Sequence, residues 1–335
     1  MASKNNNRRN LLILVGMVLG VFFLWLTFRD ISWKDFVEGL SQIRPIYLIP
    51  GFIFAVGCQF IRALRFGLIL SPFCTLSTKL LWDLLNIWAA ANVIMPARLG
   101  ELVRPYLLHQ RGVSFSSVFG AVLVERFFDM TGLLILLGAV LWKTPEVSKQ
   151  YSVFGQILLA ALILGYVMVL LILAKKTLVQ SLIEKVLKIF PARMAAPLEA
   201  IFHKLIEGIE VMANLKRALM IFLYSIALWG LFSATTYVFL LAFGIEASFL
   251  VAVTIQVFIA LAVAIPSAPG FIGTFHAAGS YALALYGIQA VVAVSFATVY
   301  HLFSLTVSIG LGALSYFTGE YRLDQSTFID QPEAS

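Results

Sequence analysis

Asn92-Val93-Ile94-Met95-Pro96-Ala97-Arg98-Leu99-Gly100-Glu101-Leu102-Val103-Arg104-Pro105 breaks a chain that is otherwise apolar on both sides. The apolar run before it, 80–95, is short and carries Asp83, Asn86 and Asn92. Proline is tolerated at a first helical position, so a short helix can start at Pro96. Pro105 disfavours helical backbone at Arg104, so that helix should end or kink there. Non-helical backbone at membrane depth survives only where it is buried in protein or lines a wet cavity. The stretch therefore reads as a broken or re-entrant segment, hinged at Pro96 and Gly100.

A second break lies further along: Pro266-Ser267-Ala268-Pro269-Gly270-Phe271-Ile272-Gly273-Thr274-Phe275-His276. It divides an apolar run, 249–265, from another, 271–286. Two prolines and two glycines within eight residues end any helix. Pro266, Pro269, Gly270 and Gly273 are its expected hinge, and Ser267, Thr274 and His276 could meet a polar group from that side. A shift of 170 residues lays Pro96-x-x-x-Gly100 on Pro266-x-x-x-Gly270. The same shift lays 45–70 on 215–240 and 114–142 on 284–312. Each copy reads as span, broken segment, span, and inverted repeats built around broken helices are a recurring transporter plan.

The rest of the chain fits a membrane setting. Of 335 residues, 61% are hydrophobic and 12% charged, against about 25% charged in soluble domains. A spanning helix needs about 20 apolar residues. Six segments qualify: 11–28, 45–70, 114–142, 151–174, 217–243 and 289–317. The expected fold is thus an all-α integral membrane protein with six full transmembrane helices and two re-entrant segments. Its expected parts are an N-terminal tail (1–10), a transmembrane domain (11–318) and a C-terminal tail (319–335). Within the domain, repeat halves at 45–142 and 217–317 are joined by an amphipathic connector, 175–216. With the N-terminus inside, three Lys and Arg of the tail, six in 62–111, eight in 175–217 and Arg322 face the cytoplasm; five face outward. That bias places both termini in the cytoplasm and the chain in a bacterial-type inner membrane. It also accounts for the net charge of +7 without a nucleic-acid partner.

Two constellations could carry chemistry. Arg98 and Arg104 beside a helix start suit a phosphate, and Glu101 stands three residues from each. Glu125, Arg126 and Asp129 lie inside span 114–142, with Glu125 and Asp129 on one helix face. Ionisable groups within a span usually face a bundle interior or a wet cavity. The same residues could instead form a buried ion pair, from Arg126 to Glu125, Asp129 or Glu101, holding helices in register. Arg62 and Arg65 end the second span and read as interfacial anchors. Gln256 and His301 read as packing residues with satisfied polar atoms. The four histidines and two cysteines lack ligand spacing, so neither a metal nor a disulfide framework is expected. No G-x-x-x-x-G-K-[ST], G-x-S-x-G or H-E-x-x-H occurs, and no cofactor or enzymatic step is expected.

Asn92-x-x-x-Pro96-Ala97-Arg98-x-Gly100-Glu101-x-x-Arg104, Glu125-Arg126-x-x-Asp129 and Pro266-x-x-Pro269-Gly270-x-x-Gly273 together resemble the lysylphosphatidylglycerol synthetase transmembrane family. This is the flippase-like membrane domain of the multiple peptide resistance factor, and the resemblance covers roughly 10–320. It implies a translocase for a polar, phosphate-bearing lipid, supplied by a separate lipid-synthesising enzyme. Arg98, Glu101, Arg104, Glu125, Arg126 and Asp129 would be its substrate-binding residues. His276 stands where the family commonly has an acidic residue, which sets this chain apart from lysyl-lipid specificity. The rival readings are a secondary transporter of a small anion, a membrane-embedded lipid-modifying transferase, and a scaffold for a cytoplasmic enzyme.

Overall fold

The computed structural model describes residues 17–189, 191, 214–264 and 268–319, with isolated positions between 195 and 209. The side chains at 96–98, 145–152, 154, 158, 162 and 173 fall outside that description, as do both tails and Pro266. The described residues form helices and 3-10 turns, with no β-strand among them. In chain order the helices are α1 (Met17–Phe28), α2 (Trp33–Ser41), α3 (Leu48–Leu70), α4 (Thr78–Ile94), α5 (Val103–His109) and α6 (Phe115–Lys143). They continue as α7 (Pro145–Ala174), α8 (Lys176–Leu187), α9 (Leu215–Ala242), α10 (Phe249–Ala264), α11 (Thr274–Ala284) and α12 (Ala290–Thr318). A 3-10 turn, Pro96–Leu102, precedes α5, and another, Pro269–Phe271, precedes α11.

Among the described residues, four stretches are long and apolar enough to cross a membrane: Pro45–Leu70, Gly155–Ile172, Leu215–Ala242 and Ala290–Thr318. α1 and α10 are shorter apolar helices. α6 has the length to span but carries Glu125, Arg126 and Asp129 at its middle. Side chains cap several starts. Ser77 Oγ accepts from Leu80 N at 3.2 Å, and Asn214 Oδ1 from Arg217 N at 3.1 Å, each satisfying a backbone donor that a helix start leaves open.

Pro105 does not end its helix. The backbone from Pro96 runs as a 3-10 turn, and the α-helix begins only at Val103, so Pro105 sits in its first turn. Backbone N–H groups there have no partner within the helix, so proline costs no hydrogen bond.

Two apolar cores form, one among α3 to α6 with α7 and α8, the other among α9 to α12. Leu133, Leu134 and Leu137 of α6 join them by packing on Trp229 of α9 and on Val253 and Val257 of α10. The main contacts between the two parts are α3 on α9 and α4 on α12. Small residues permit these approaches, as is usual among helices in lipid. A Cβ on Gly312 of α12 would overlap the Cβ of Ala90 on α4. The two 3-10 breaks touch each other, and Pro269–Phe271 also packs on α4. Gly273, at φ +87, lies against the backbone of Gly20 in α1, so its glycine is required both by conformation and by space.

Candidate functional site

The first break with α5, the middle of α6 and Arg65 of α3 gather six charged side chains. Glu125 is fully buried. Its Oε1 accepts from Arg65 Nη2 at 2.9 Å and from Arg126 Nη2 at 3.2 Å, and its Oε2 accepts from Arg104 Nη1. Arg65 Nη1 also donates to Asp129 Oδ1 at 2.6 Å and to Ser225 Oγ at 2.9 Å. Arg126 Nη2 lies 3.2 Å from Asp129 Oδ2. Arg104 Nη2 donates to Glu101 Oε2 at 3.1 Å. Three cations thus face three carboxylates. Each ion costs several kcal/mol to bury, and only such mutual pairing offsets that.

Aromatic faces complete the setting. The Arg104 guanidinium lies 4.2 Å from the Trp88 ring centre and 4.6 Å from that of Phe66, a favourable cation–π placement. Trp88 Nε1 donates to Glu101 Oε2 at 3.2 Å and Asn92 Nδ2 to Glu101 Oε1 at 3.0 Å. Any Cβ at position 100 would overlap the Asn92 backbone, so Gly100 lets the break fold back on the end of α4.

A cavity of about 1030 Å³ opens beside this cluster, walled mainly by α6, α9, α10 and α12, with single or few residues of α3, α4 and α11, and reaching Phe271 of the second break. Arg126 and Asp129 line it and are partly exposed, their side chains 36% and 20% accessible. Arg62 lines it as well. Its Nη1 donates to Gln59 Oε1 at 2.7 Å, and its guanidinium lies 4.9 Å from the Phe232 ring centre. Among the described residues no carboxylate pairs with Arg62. Behind it, Gln59 Nε2 donates to Asn86 Oδ1 at 3.1 Å, and Asn86 Nδ2 to Ser315 Oγ at 3.2 Å. That chain of buried amides fixes the wall on which Arg62 stands.

Arg126 therefore pairs with two of its three expected partners, Glu125 and Asp129. Arg104 and Glu125 do not line the cavity: both are fully buried and engaged with one another. The Arg98 side chain and Pro266 lie outside the described residues. Two arginines read as interfacial anchors stand elsewhere. α3 continues to Leu70, so Arg65 is completely buried and Arg62 faces the cavity. The signal was present in the apolar residues on both sides of them, which mark an intramembrane charge more than a span end. Gln256 Oε1 lies 3.1 Å from Thr236 Oγ1 and 3.4 Å from Tyr300 Oη. His301 Nε2 lies 2.7 Å from the Gly270 carbonyl, so it donates there, and its ring stacks on Phe275 at 4.4 Å. His276 accepts from Gly273 N at 3.4 Å, and its ring meets that of His301 edge-on at 4.8 Å. These contacts tie the second break to α12.

The arrangement offers a chamber among apolar helices, with a cation outside the ion pairs on one wall and a braced neutral cluster behind it. Residues 13–312 match the family model described as the lysylphosphatidylglycerol synthase TM region. A UPF0104 membrane protein of Methanothermobacter thermautotrophicus is 25% identical over 304 residues, 83% of this chain and 87% of that protein. Another, from Methanocaldococcus jannaschii, is 26% identical over 238 residues, 69% of this chain and 95% of the relative. The glycosyltransferase AglD of Haloferax volcanii is 27% identical over 135 residues, 40% of this chain and 22% of that protein.

Proposed function

The chain belongs to the lysylphosphatidylglycerol synthase TM region family, and on that premise we propose that it is a lipid translocase, carrying a polar, phosphate-bearing lipid between the leaflets of a bacterial-type inner membrane. The observation that supports this best is the cavity, a chamber lined by Arg62, Arg126 and Asp129 inside a bundle whose long helices are apolar enough to span a bilayer. A headgroup can shelter there while its acyl chains stay in lipid. Glu125, Arg65 and Arg104 brace the chamber, Glu101 ties the first break to that brace, and Arg98 is kept as a further cation for the phosphate. A separate enzyme supplies the lipid.

In this reading, 45–142 and 217–317 are inverted halves, six helices cross the membrane, and both termini are cytoplasmic. The repeated order of helix, helix, 3-10 break, short helix and long helix supports it. The first break then faces the cytoplasm and the second opens outward. Leu99 and Ile272 are each about two-fifths exposed, at 41% and 43%, while Cys58 and Cys74 are buried. Cysteines placed at 99 and 272 are thus expected to react with an impermeant thiol reagent from opposite faces, over a silent native background. Reaction from one face only is incompatible with inverted halves.

Translocation is tested by dithionite quenching of a fluorescent phospholipid in proteoliposomes. The protein is expected to expose label held in the inner leaflet faster than empty vesicles do, and an equal rate rejects the proposal. The partial similarity to AglD supports one alternative, a membrane-embedded lipid-modifying transferase. Covalent change in a radiolabelled lipid incubated with the pure chain would decide for it.

A further inference from the structure

The two walls of the cavity differ in chemistry. On the α3 and α6 side, Arg62 uses one N–H on Gln59 and makes no ion pair among the described residues. A guanidinium carries five N–H donors, so a fork remains for a doubly accepting anion. Asp129, the one carboxylate among the described residues that line the cavity, already receives Arg65 on Oδ1 and Arg126 on Oδ2. An ammonium entering this chamber would have to share a carboxylate that two arginines already neutralise.

The α10 and α12 side carries neutral donors. Gln256 is 9% exposed and lines the cavity. Its carbonyl oxygen is satisfied by Thr236 and Tyr300, but its amide nitrogen makes no hydrogen bond among the described residues. Ser304, one turn beyond Tyr300, also lines the cavity, and its hydroxyl is without a partner among the described residues. The Gln256 N–H donors are open to a ligand in the cavity. Trp229, Phe232 and Phe275 supply flat apolar faces between the walls, suited to the C–H face of a ring that bears hydroxyls on its edge. Sites of about 300–1,000 Å³ hold drug-sized ligands, so about 1030 Å³ takes a phosphate and a ring together.

We propose that the cavity selects a headgroup made of a phosphate and a hydroxyl-rich glycosyl or cyclic polyol unit without an amine, the phosphate on Arg62 and the hydroxyls on Gln256 and Ser304. This rests on the lipid-handling reading and names its substrate class. The test is binding without transport. The purified full chain in maltoside micelles is titrated with dioctanoyl phosphatidylinositol, phosphatidic acid and phosphatidylethanolamine, and occupancy is read by native mass spectrometry. Phosphatidylinositol is expected to bind about tenfold more tightly than phosphatidylethanolamine, the worth of roughly one good charged hydrogen bond. Arg62→Gln weakens phosphatidylinositol and phosphatidic acid alike. Gln256→Met and Ser304→Ala weaken phosphatidylinositol alone, and Ser304→Ala keeps the test open if the Gln256 variant fails to fold. Equal affinity for phosphatidylethanolamine, or loss of phosphatidic acid binding in Ser304→Ala, overturns the assignment. The expected binding pattern without any translocation would refute the translocase reading and leave this one standing; translocation without the pattern would do the reverse.

Discussion

Glu125→Ala is expected to lose about 3–5 kcal/mol of stability, the cost of stranding buried charge. The carboxylate is fully buried and is the shared partner of Arg65, Arg104 and Arg126. Its removal leaves the cluster with one cation in excess and two completely buried guanidiniums short of an acceptor each. Glu125→Gln keeps the shape and an acceptor oxygen but not the charge, so it should fall between alanine and the wild type. Arg126→Ala should cost less than Glu125→Ala, because Arg126 is 36% exposed and its charge is partly solvated. The check is thermal unfolding in detergent, followed by tryptophan fluorescence. A double variant, Glu125→Leu with Arg104→Met, removes both members of the tightest pair. It should be less damaged than the sum of its single changes, since residues in one charge network couple. Full stability of Glu125→Ala would mean that water reaches these arginines.

Local signals account for much of what could be read beforehand. Proline and glycine punctuate a chain strongly, so both breaks, at Pro96 and at Pro269, were legible as interruptions of apolar runs. Their form was less so: Pro105 was expected to stop a helix, yet it lies in the first turn of one, where proline is harmless. Arg126 with Asp129 and Glu101 with Arg104 are pairs three residues apart, within reach of spacing rules. Arg65 with Glu125 joins residues 60 apart in sequence, and no local rule yields that. Arg62 and Arg65 were taken for anchors because charges near a span end usually are. α3 runs on to Leu70, which buries Arg65 and turns Arg62 to the cavity. The cavity was not legible at all, because it arises where helices far apart in sequence meet. Gln256 and His301 did prove to be satisfied in part by neighbours, but they also line that cavity.

The most direct measurement sets the membrane potential against the direction of lipid movement. Among the described residues that line the cavity, Arg62 and Arg126 outnumber Asp129, which favours an anionic headgroup. Moving one charge through 100 mV is worth about 2.3 kcal/mol, or roughly a 50-fold ratio between leaflets at equilibrium. With the inside negative, an anionic lipid is driven outward without ATP. The experiment imposes a potassium diffusion potential on proteoliposomes and follows a labelled anionic phospholipid by its accessibility to a quencher. Reversing the potential is expected to reverse the accumulation, and Arg62→Gln should slow both directions while leaving the final ratio intact. Movement indifferent to the potential and to Arg62 alike would contradict the account.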